Sequence, residues 1–138
     1  MAFIGSGISH RGIVQEEFNF PFNLATTIVA ADVGKAVSID TTAARTVKLA
    51  ADGDVIQGWL TSYEDRTIEG GKVGTVSMKG GTDFLRASGA PAVTVGAVIC
   101  GAGAGEVRAA LVDDGSAIKT HRTIATFVNG RAVEVILT

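Results

Sequence analysis

The feature that most constrains this chain is its punctuation. Eighteen glycines are spread along 138 residues against only two prolines. They separate short runs of β-branched and aliphatic residues, where a helix would need long uninterrupted stretches. From Gly34 onward each run is strand-sized. Val37 and Ile39 share one face of a short strand, and Val47 and Leu49 share another. Asp52-Gly53-Asp54 marks a turn. Val55–Tyr63 is predicted as a strand with Trp59 in its middle, and Glu69–Lys72 as a turn into a strand over Val73–Lys79. Gly80-Gly81 leads to a strand over Thr82–Ala87, which Ser88-Gly89-Ala90-Pro91 breaks. Val93–Cys100 reads as a strand with a bulge at Gly96, and Glu106–Val112 as the next. Asn129-Gly130 between Ile124–Val128 and Ala132–Leu137 is a tight-hairpin signal, because both residues tolerate positive φ. Many short strands and no long amphipathic helix predict an all-β fold: a single compact β-barrel or jelly-roll-like sandwich.

The first 31 residues differ from the rest. They hold four of the six phenylalanines and a single basic residue, Arg11. A helix over Leu24–Ala31 is disfavoured by the β-branched run Thr26-Thr27-Ile28-Val29. Phe18-Asn19-Phe20-Pro21-Phe22 alternates like an extended segment whose proline holds an edge. Two readings follow: a first strand of the same core, or an extended N-terminal arm that docks on a neighbour. The arm reading divides the chain into residues 1–31 and a barrel over 32–138. Its interface candidates are Phe3, Ile4, Ile8, Ile13, Val14, Phe18, Phe20, Pro21 and Phe22.

Chemistry is sparse. His10 and His121 each adjoin an arginine, and neither stands at metal-ligand spacing from another ligand. Cys100 is alone, so it forms no internal disulfide, and on an apolar strand it reads as a small buried hydrophobe. Gly101-Ala102-Gly103-Ala104-Gly105 lacks the following helix that a dinucleotide loop requires. Met78-Lys79 beside Gly80 departs from the biotinyl- or lipoyl-carrier pattern, where a hydrophobic residue follows the lysine. The acidic pairs Asp52 and Asp54, Glu64 and Asp65, and Asp113 and Asp114 fall in expected turns. No catalytic residue, cofactor or metal site is predicted, so the sequence points to binding without enzymatic activity. A net charge of −2 gives no field toward nucleic acid or an anionic membrane. The start lacks a signal-peptide pattern and no apolar run reaches membrane length, which predicts a soluble, non-secreted protein. Only 19% of residues are charged, as expected where a partner covers part of the surface.

Several stretches together resemble a known family. They are Asp32-Val33-Gly34-Lys35-Ala36-Val37-Ser38-Ile39, Val47–Gly58 with its Asp52-Gly53-Asp54, Val93–Ile99, Gly105–Ala110, and the closing hairpin. Their order resembles the small head-decoration, or cement, proteins of tailed bacteriophages, over roughly residues 32–138. The resemblance implies a structural virion protein on the outer capsid surface, made in the host cytoplasm. It implies binding to the major capsid protein and to itself, as a homotrimer or else a homodimer. A carrier or small-ligand-binding β-barrel and a phage tail subunit are the alternatives.

Overall fold

A computed structural model describes residues 19–78, 82–111, 122–127 and 131–136. The all-β expectation holds: among the described residues the one helical element is a 3-10 turn, Ala30–Asp32. The strands are β1 (Asn19–Leu24), β2 (Ala36–Ile39), β3 (Thr46–Leu49), β4 (Gly58–Leu60), β5 (Glu64–Arg66), β6 (Gly71–Ser77), β7 (Thr82–Arg86), β8 (Ile99–Gly103), β9 (Glu106–Ala109), β10 (Arg122–Phe127) and β11 (Ala132–Ile136).

Five of them close a barrel in the order β1-β3-β2-β4-β6, and β6 pairs back onto β1. The β1–β3 pair is parallel and the rest are antiparallel. Closure removes the open edges that a five-stranded sheet would otherwise expose. β1 carries the largest correction to the sequence reading. Asn19–Asn23 pairs in register with Ser77–Val73, so Phe20, Pro21 and Phe22 belong to a barrel strand and not to an arm. The barrel therefore includes Asn19–Leu24, which the arm reading placed outside it. Pro21 fits because its partner Thr75 bonds elsewhere: Ser62 Oγ accepts from the Thr75 N–H at 3.0 Å, and the Thr75 carbonyl accepts from the Thr61 N–H at 2.8 Å. Pro21 thus faces a position where no ladder donor is needed.

Strand alternation sends side chains into two cores. Val37 of β2 and Leu60 of β4 point into the barrel, where they meet Leu24, Ile28, Val47 and Val76. Their neighbours Ala36 and Trp59 point outward into a second core with Ile56, Leu85, Ile99, Val107 and Val133. The β2–β4 wall is therefore buried on both faces. Its outer face is covered by the β8–β9 hairpin and by β7, which pairs with β11 in a sheet of order β10-β11-β7.

Main-chain bonds fasten the β8–β9 hairpin to the barrel. The Gly101 N–H donates to the Asp54 carbonyl at 2.9 Å, and the Gly101 carbonyl accepts from the Gly53 N–H at 2.9 Å. The Ala36 N–H donates to the Gly105 carbonyl at 3.0 Å. A Cβ on Gly101 would run into the Ala51 carbonyl, so glycine is what permits this approach.

Three other expectations change. Val93–Ala97 is not strand: Gly96 has φ +86° and the Ala97 N–H closes a turn on the Thr94 carbonyl, so β8 starts only at Ile99. Val55–Gln57 is irregular, and only Gly58–Leu60 of the long run around Trp59 is strand. Glu64-Asp65 is not a turn but the start of β5, an exposed strand paired with the first residues of β6.

Candidate functional site

The two ends of the barrel differ. β1 runs from Asn19 at one end to Leu24 at the other, and inward-facing residues lie two apart along it. Leu24 is buried, Phe22 is half-buried against the barrel core, and Phe20 emerges 46% exposed at the first mouth. The segment 25–35 closes the second end, with Ile28 fully buried as its plug. Three charged side chains, Lys72, Asp32 and Lys35, hold this plug. Lys72 Nζ donates to the Thr26 and Ile28 carbonyls, both at 2.7 Å, and lies 5.9 Å from the Tyr63 ring centroid. Asp32 accepts from the Val29 N–H at 2.9 Å and from Lys35 Nζ at 2.8 Å. Burial raises the Asp32 pKa, but the Lys35 ammonium and the Val29 N–H outweigh it and hold the carboxyl below its ordinary range.

Beyond the plug, the β5–β6 hairpin continues past the point where β6 pairs with Asn23. It protrudes from the barrel with Ile68 at its tip, wholly exposed. Val29 and Val33, each nearly half exposed, flank the plug at the same end. An open groove of about 590 Å³ runs between the hairpin and β1–β3, with Leu24, Val73, Ala43 and Ala44 among its lining and Glu69 and Lys72 on its hairpin side. This end combines a rigid base, a projecting apolar tip and a groove beside it. That is the anatomy of a binding surface: an apolar centre with a polar rim.

A second polar cluster stabilises the seam with the β8–β9 hairpin. Asp54 Oδ2 accepts from Ser38 Oγ at 2.8 Å and from the Ala51 N–H at 3.0 Å, and pairs with Lys48 Nζ at 3.3 Å. Burial raises its pKa, whereas the Ser38 hydroxyl, the Ala51 N–H and Lys48 together bring it below the ordinary value. Arg108 is buried and donates from Nε to Asp52 Oδ1 at 2.9 Å. Asp52 and Asp54 therefore do structural work, each on its own cationic partner.

The candidates from the sequence are dispersed. Phe3, Ile4, Ile8, Ile13, Val14 and Phe18 lie outside the described residues, as do His10, His121, Lys79, Asp113 and Asp114. Phe20, Pro21 and Phe22 are brought together on β1, where Phe22 serves the core and Phe20 is left at the mouth. Cys100 is fully buried on β8. Gly101–Gly103 is the end of β8, and Ala104-Gly105 makes the turn into β9, a strand and not a helix. No group of three or more His, Cys, Asp or Glu residues could hold a metal among the described residues. No helix among them is long and apolar enough to cross a membrane. Sequence reasoning missed the Ile68 tip, since one isoleucine between Thr67 and Glu69 carries no periodic signal.

No protein-family model matches the chain, and comparison with curated proteins finds no match.

Proposed function

We propose that this chain is a structural virion protein that binds the outer surface of a tailed-phage head and ties neighbouring major capsid subunits together. The observation that carries the reading is the asymmetry of a cross-tied barrel: its second end exposes Val29, Val33 and the projecting Ile68, and a groove runs beside the hairpin that carries Ile68. A cement protein needs a body that does not deform and an apolar surface held out to its neighbours. Specific interfaces bury on the order of 1,600 Å² in total, and repetition on a shell multiplies modest single contacts.

The resemblance to head-decoration proteins supplies the partner. Three of its stretches fall on β2, on β3 with the Asp52–Asp54 turn, and on β9, near the seam joining the β8–β9 hairpin to the barrel; Val93–Ile99 leads into β8 and the closing hairpin is β10–β11. The small-ligand alternative is disfavoured by the barrel interior, which Leu24, Ile28, Val37, Val47, Leu60 and Val76 fill with side chains at most 5% exposed. The test is stoichiometry in purified particles by quantitative mass spectrometry. A decoration protein scales with the major capsid protein. A copy number matching a tail ring instead would move the protein to the tail.

A further inference from the structure

The hairpin tip and the groove are complementary to each other. The tip carries apolar Ile68 between acidic Asp65 and Glu69. The apolar part of the groove's lining is Leu24, Val73, Ala43 and Ala44; Arg66, Glu69 and Lys72 stand on its hairpin wall, and Ile68 is not part of it. Arg45 stands between the groove residues Ala44 and Thr46 and is exposed. It enters no ion pair among the described residues, and neither does Glu69. Arg45 also holds φ at +55°, an uncommon conformation for a residue with a side chain. Its carbonyl accepts from the Asn23 N–H at 2.9 Å, which fixes the backbone of this cation beside the groove.

We propose that the groove receives the β5–β6 hairpin tip of a second copy of this chain. In that contact Ile68 of one copy enters the apolar groove of the other, and Glu69 of the first meets Arg45 of the second. Four facts favour a second copy as the occupant. Asp65 and Glu69 on the tip are opposite in charge to Arg45 beside the groove, while Arg66 of the same tip is taken up by Glu64. Ile68 is exposed to its full extent, so a partner can bury it without rearranging the hairpin. The groove volume of about 590 Å³ exceeds what one side chain fills, so it admits a hairpin tip. Tip and groove also lie side by side at one end, so two copies can exchange them reciprocally about a two-fold axis and double the contact. The inference goes beyond the proposed attachment to capsid subunits, and it is tested without any phage head.

The experiment is sedimentation velocity on the full chain across a micromolar concentration series, with far-UV circular dichroism melts as a folding control. The wild-type chain is expected to associate. Ile68→Asp changes a side chain with no contacts to lose, so the fold should persist while association weakens at least tenfold, the effect of leaving one isoleucine unburied. Arg45→Glu and Glu69→Arg should each weaken association, and the double exchange should restore it. A wild-type chain that stays monomeric at 100 micromolar overturns the proposal, as does association unchanged by Ile68→Asp or by both charge reversals. Failure of the double exchange to restore association also overturns it. If Ile68→Asp abolishes binding to phage heads but leaves self-association intact, the tip belongs to a shell contact. That result sinks the self-contact while leaving the proposed function standing.

Discussion

Replacing Gly101 by alanine should open the seam between the barrel and the β8–β9 hairpin. The added methyl would collide with the Ala51 carbonyl and crowd the Ala50 side chain. Neither can yield easily: Ala51 belongs to the turn that Asp54 caps, and Ala50 is fully buried in the outer core. Relief requires the hairpin to move away, which stretches the two bonds between Gly101 and the Asp52–Asp54 turn. Overpacking costs about 1–3 kcal/mol, and each weakened hydrogen bond about 1 kcal/mol. A loss of about 2–4 kcal/mol follows. For a chain of this length that lowers Tm by roughly 6–15 °C. Thermal melts by circular dichroism measure it directly. A Gly101→Ala protein melting within about 2 °C of wild type would refute the close backbone approach at this seam.

Three further outcomes are expected. Ala104→Gly, at the β8–β9 turn where φ is +52°, should raise stability by about 0.5–1 kcal/mol; relief of left-handed strain exceeds the added unfolded-state entropy, and denaturant melts read the sign. Asp54 has a folded pKa below the ordinary 3.8, so its contribution is complete above that value and fades as pH falls through the lowered folded pKa. Asp54→Asn should therefore flatten the fall of Tm with pH on the acid side of about 4; an unchanged acid limb would contradict the role given to this carboxylate. Removing residues 1–24 should abolish the cooperative melting transition, because β1 closes the barrel between β3 and β6; a sharp melt in the truncated chain would contradict that closure.

The alternating runs were legible in the sequence because half-buried strands write their burial with period two. Val37 against Ala36 and Leu60 against Trp59 show that rule on a wall with two buried faces, where both alternating sets are apolar. β1 was harder to place. An extended run of phenylalanines reads the same whether it crosses a neighbour or pairs with a strand fifty residues on, and only the partner at Val73–Ser77 decides. β5 was invisible for the opposite reason: Glu64-Asp65-Arg66 is exposed throughout and leaves no hydrophobic mark. Val93–Ala97 looked like strand by its β-branched content, but Gly96 bends it into a turn. The candidate binding end was not legible at all. Exposure of Val29, Val33 and Ile68 depends on which residues cover them in three dimensions, and a single sequence does not record that.

Co-sedimentation of the purified full-length chain with empty, expanded phage heads tests the central claim most directly. The account predicts saturable binding in a fixed ratio to the major capsid protein, and heads that survive higher temperature once decorated. A chain that stays in the supernatant at micromolar concentration while folded, over heads lacking their own decoration protein, would contradict it.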